Sequence, residues 1–80
     1  EAWRVEVAPN PARDFVTIRF SAGYYDVVEL TNTLGELIWK GHISSNMEFL
    51  EMDTRNHAPG LYFLRISGKH GNSTVMIMFQ

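Results

Sequence analysis

Gly60-Leu-Tyr-Phe-Leu-Arg-Ile66 is the stretch on which the fold of this chain turns. In an extended backbone Tyr62, Leu64 and Ile66 fall on one side, and Leu61, Phe63 and Arg65 on the other. Pro59-Gly60 interrupts the chain just before it, so the segment reads as a strand with a defined start. The same period of two recurs outward. Phe15-Val-Thr-Ile-Arg-Phe20 sets Val16, Ile18 and Phe20 against Phe15, Thr17 and Arg19. Asp26-Val-Val-Glu-Leu-Thr31 sends Val28 and Leu30 one way, Glu29 and Thr31 the other. Trp3 to Val7, Glu36 to Lys40, Met47 to Asp53 and Thr74 to Phe79 complete seven expected strands.

Turn chemistry separates them. Pro9-Asn10-Pro11 excludes helix and central strand, because proline lacks an N–H and restricts the residue before it. Asn32-Thr33-Leu34-Gly35 offers a side chain that caps a turn and a glycine free to take positive φ. Gly41 with Ser44, Ser45 and Asn46 marks a loop, and Gly68 to Asn72 a hairpin connection. No window shows a helical period. Seven short strands with closely spaced turns predict an all-β fold, a seven-stranded antiparallel β-sandwich of the immunoglobulin-like kind.

Composition narrows the functional classes. Seven Lys and Arg against nine Asp and Glu give a net charge of −2, which argues against a nucleic-acid partner. The absence of cysteine removes disulfides, thiolate metal sites and thiol nucleophiles. No apolar run approaches the roughly 20 residues of a membrane helix. The chain of 80 residues begins at Glu1 without an initiator Met. We therefore expect residues 1–80 to be a single domain excised from a longer protein.

Candidate catalytic and metal groups do not assemble. His42, His57 and His70 lack any zinc-ligand spacing. Glu51 and Asp53 share one strand face, and so one environment, whereas an acid/base pair needs two. Ser21, Ser44, Ser45, Ser67 and Ser73 have no nucleophile-elbow context, and no phosphate-binding glycine loop is present. Asn72-Ser73-Thr74 fits the glycosylation acceptor pattern, but so short a pattern often arises by chance and a hairpin turn explains it without sugar. The expectation is a protein that is not an enzyme and uses no cofactor.

Two surfaces remain open to a binding role. Leu61 and Phe63, with Trp39 expected to flank them across the sheet, form either an outward platform for a sugar or protein partner, or further core. Val75-Met-Ile-Met-Phe79 is apolar on both alternating faces. Such a strand is either fully sandwiched or offered to another chain, including a second copy in a homodimer.

Several of these motifs, taken together, resemble a known family. Val7-Ala-Pro-Asn-Pro-Ala-Arg-Asp-Phe-Val-Thr-Ile18 resembles the opening of the C-terminal sorting domains of type IX secretion. Val28 to Gly35 is similar to that family's middle strand and turn. Ala58-Pro-Gly-Leu-Tyr-Phe-Leu-Arg-Ile66 is similar to its glycine–tyrosine segment, and Gly71 to Gln80 to its closing strand. The order and spacing agree over essentially the whole chain. Members often end in lysines; here Met76, Met78 and Gln80 take that stretch. Asn32 stands where Asp is frequent.

The resemblance implies a role that is not catalytic. Such domains belong to cargo proteins of Bacteroidota that reach the periplasm by a separate signal. The domain then directs the cargo through the outer-membrane translocon, and a sortase-like protease commonly removes it at the surface. The cargo is in some cases joined to lipopolysaccharide. On this reading Pro9, Asn10, Pro11, Gly35, Pro59, Gly60 and Tyr62 determine the fold. Val75, Met76, Ile77, Met78, Phe79 and Gln80 carry recognition. The competing expectation is an accessory glycan- or protein-binding sandwich of a secreted enzyme, resting on Trp39, Leu61 and Phe63.

Overall fold

In the computed structural model, which describes residues 5–80, seven strands follow one another without a helix. They are β1 (Glu6–Ala8), β2 (Phe15–Arg19), β3 (Val27–Asn32), β4 (Leu37–His42), β5 (Phe49–Asp53), β6 (Gly60–Gly68) and β7 (Gly71–Phe79). Strands β1-β2-β5 make one sheet and β4-β3-β6-β7 the other, with every strand pair antiparallel. The expected immunoglobulin-like sandwich is what the chain forms.

The alternation of apolar side chains explains why the sheets face each other. Val16 and Ile18 of β2 with Met52 of β5 meet Val28, Leu30, Leu64, Ile66, Ile77 and Phe79 of the larger sheet, all essentially inaccessible to water. Burying each of the aliphatic ones is worth about 1.5–3 kcal/mol, which is how so short a chain holds two sheets together. Registers carry the pattern across strands: Val28 lies opposite Ile66, and Leu30 opposite Leu64. Among the described residues no buried side-chain nitrogen or oxygen lacks a partner. Thr54 satisfies itself by donating to the Arg13 carbonyl at 3.1 Å.

Most strand limits differ from the sequence expectation by one to three residues, and those of the first, fifth and last strands have identifiable causes. The first strand runs Glu6–Ala8, while Trp3 lies outside the described residues. The fifth begins at Phe49, because Met47 is held in a turn whose N–H donates to the Ser44 carbonyl at 3.1 Å. The last begins at Gly71, since β6 and β7 stay paired down to Gly68 and Gly71, leaving only Lys69 and His70 in the turn. Gly68 lacks a side chain for a steric reason, as a Cβ there would run into the backbone of Tyr24 and Tyr25.

Candidate functional site: the clasped edge of the last strand

Pro9, Asn10 and Pro11 are exposed and join β1 to β2, as expected of a corner. Both X-Pro bonds, Ala8–Pro9 and Asn10–Pro11, are cis. The corner also does something that local spacing does not reveal. It crosses from the small sheet to the free edge of β7 in the large one. There the Asn10 carboxamide donates from Nδ2 to the Met76 carbonyl at 3.0 Å, and its Oδ1 accepts from the Met78 N–H at 3.1 Å. Ala12 continues the pairing: its N–H donates to the Met78 carbonyl and its carbonyl accepts from the Gln80 N–H, both at 2.7 Å. Ala12 and Phe79 thus form a parallel bridge. A side-chain amide and one backbone residue stand where a neighbouring strand would be.

The last strand is therefore half-buried. Val75, Ile77 and Phe79 turn inward, whereas Met76 and Met78 stay 59% and 40% exposed on the outer face. It is an edge strand, because it ends the order β4-β3-β6-β7, and it is not fully sandwiched, because its outer-face Met76 and Met78 remain exposed. Met76 lies opposite Phe63, and Met78 opposite Leu61, so these four share the outer face as an apolar strip.

Trp39 does not belong to that strip. Its partner across the ladder is Leu30, a core residue, so the indole lies on the inner side and packs against the core over Gly41. The expected grouping of Trp39 with Leu61 and Phe63 is corrected on this ground. The cause is local: β4 is mostly exposed, and a bulge opposite Leu30 and Thr31 sets which of its faces turns inward.

The remaining motif residues sit at turns. The Tyr62 hydroxyl donates to the Ala58 carbonyl at 2.6 Å, a tyrosine corner that ties β6 to the Pro59-Gly60 turn ahead of it. Its ring lies 4.4 Å from that of Phe79. Gly60 opens β6 with φ 142°. Asn32 caps its turn as expected, its Oδ1 accepting the N–H groups of Leu34 and Glu36, while Gly35 takes φ 83°. Asn32 Nδ2 also donates to Glu36 Oε1 at 2.7 Å. An aspartate there could not make that bond, so the amide suits the glutamate that follows it.

The histidines do not converge. His57 lies beside Phe79 and His70 against Tyr24, while His42 closes β4. No three His, Asp or Glu side chains among the described residues could share a metal ion. Asp53 pairs instead with Arg55, whose side-chain and backbone hydrogen bonds hold its carboxyl at about 2. A shallow groove of about 520 Å³ follows residues 46–51, and is lined by that one segment.

These contacts define an immunoglobulin-like sandwich with a tyrosine corner and an exposed apolar strip beside its last strand. The family model described as a secretion system C-terminal sorting domain matches residues 6–80, and the chain belongs to that family. It is a type IX secretion sorting domain, which implies interaction with that secretion system and export to the cell surface or beyond. The family is not an enzyme class. No curated protein matches the chain. The crystal structure of CopC from Methylosinus trichosporium OB3b is similar in fold, with a TM-score of 0.53 and 17% identity over 95% of this chain and 91% of that one.

Proposed function

We propose that residues 1–80 are one sorting module of a larger cargo protein in a member of the Bacteroidota, read in the folded state at Val75–Gln80. The cargo crosses the inner membrane by its own signal, and this module then engages the outer-membrane type IX translocon. A sortase-like protease removes the module at the surface, where the cargo is released or joined to lipopolysaccharide.

The family match across residues 6–80 is the observation that carries this reading. The exposure of Met76 and Met78 supports a read-out at the last strand, since both are apolar yet face water. Asn10, placed by the corner that Pro9 and Pro11 make, acts on this reading by holding that strand at its edge together with Ala12. The test is a fluorescent reporter carrying an export signal, fused to residues 1–80 or to a chain stopped after Thr74. In a bacterium with a working type IX system the first reaches the surface and the second stays in the periplasm, as do Met76→Ser and Met78→Ser chains, which keep the buried Ile77 and Phe79 and so separate lost recognition from lost folding. Surface display of both the full and the truncated chain would overturn the proposal.

A further inference from the structure

The four sheet edges are unequal. β1 carries Glu6, β4 carries Lys40 and His42, and β5 carries Glu51 and Asp53, whereas β7 has no ionisable side chain from Gly71 to Phe79. Charge on an edge strand is a common guard against pairing with another chain. β7 lacks that guard and is closed by the Asn10–Ala12 clasp over only part of its length.

The clasp shows which backbone groups point outward. Met76 C=O, both groups of Met78 and the Gln80 N–H bond to Asn10 and Ala12. Alternation along an antiparallel strand then turns the N–H and C=O of Asn72 and Thr74 outward too, with the Met76 N–H. No described residue pairs with these. They form an open half-edge abutting the clasp.

Resting on the sorting reading above, we propose that Asn72 to Met76 is a strand-addition site for an extended, uncharged segment of the secretion machinery, with Asn10 marking where that segment ends. The chain's own Ala12 already pairs with this edge as a strand would, so the edge is fit for such a partner. Met76, paired with Phe63, gives the incoming strand an apolar neighbour on the outer face. Arg65, opposite Thr74, is the charge nearest the middle of the open stretch. A second copy of this chain fits less well. The longest antiparallel self-pairing is centred on Thr74 and needs the Met76 carbonyl, which Asn10 holds.

Proline at an outward position removes the edge donor without touching the bonds to β6. Thr74→Pro and Asn72→Pro, placed in the reporter fusion with the full 80-residue chain, should each cut surface display at least about tenfold, as loss of a main-chain docking edge would. Thr74→Val should display as the parent does. Melting temperatures of the same chains report whether the fold survives. Parent-level display of a folded Thr74→Pro chain overturns the proposal, and leaves the sorting reading intact if truncation after Thr74 still blocks export. Display of the truncated chain would instead overturn the sorting reading.

If both proline chains fail to fold, amide exchange on the parent chain decides. With purified outer-membrane translocon bound, the Asn72, Thr74 and Met76 amides should slow by at least about tenfold, while Met78 and Gln80 do not change. Bound chain without that slowing overturns the proposal. So does slowing that appears with rising chain concentration alone, which would assign the edge to a second copy.

Discussion

The ring of Tyr62 lies 4.4 Å from the ring of Phe79, and its hydroxyl reaches back to the Ala58 carbonyl at 2.6 Å. One side chain thereby fixes the turn before β6 and packs the end of β7. The two halves of that role can be separated.

Tyr62→Phe keeps the ring contact and loses the hydrogen bond. It should cost about 0.5–1.5 kcal/mol, or several degrees of melting temperature for a chain of this size. An unchanged thermal unfolding curve would show that the Ala58 carbonyl finds an equal partner in water.

Phe79→Ala empties a buried site and should cost about 3–5 kcal/mol, enough to unfold much of the population. Met76→Ser and Met78→Ser change exposed positions, and should stay within about 0.5 kcal/mol of the parent. Loss of export in Phe79→Ala therefore reports folding, whereas loss in the methionine variants reports recognition. Chemical unfolding alongside surface display distinguishes the two.

Asn10→Ala removes both bonds that the carboxamide makes to β7. The amide of Met78 should then exchange faster with solvent, and stability should fall by about 1 kcal/mol. Asn10→Asp can still accept from the Met78 N–H but has nothing to donate to the Met76 carbonyl, so it should fall between the two. Hydrogen exchange followed by NMR resolves the individual amides.

The Asp53 carboxyl is lowered from 3.8 to about 2 by the Arg55 hydrogen bonds. Folded-state depression of a carboxylate favours folding above the unfolded value, and that contribution fades as pH falls from about 4 through about 2. Parent and Asp53→Asn chains should thus differ slightly in urea unfolding at pH 6 and converge near pH 2. The pair is exposed, so salt should shrink the difference as well.

Much of this architecture is legible in the sequence because the signal is local. Val16 with Ile18, Val28 with Leu30, and Tyr62 with Leu64 and Ile66 alternate cleanly, and each set is buried as its period requires. The Asn32 turn is equally readable, since its bonds span four residues at most. Trp39 is not, because a bulge in a largely exposed strand decides its face and leaves no trace in the alternation. Gly71-Asn72-Ser73 lack strand-forming side chains and are extended only because β6 pairs with them. The bonds from Asn10 to Met76 and Met78 span 66 and 68 residues, and no spacing within either motif announces the other.

That span bears on how fast the molecule assembles. A contact between residues so far apart in the chain forms only after most of it is available, and closing so large a loop is slow relative to local turns. Sandwiches of this connectivity fold in about milliseconds to seconds. Throughout that interval Val75-Met-Ile-Met-Phe79 has neither its core contacts nor its clasp, and carries no charge to keep neighbouring chains apart. Conditions that lengthen the interval should divert the chain into aggregates, so a companion that shields nascent hydrophobic strands would raise the yield of native protein without altering its final stability.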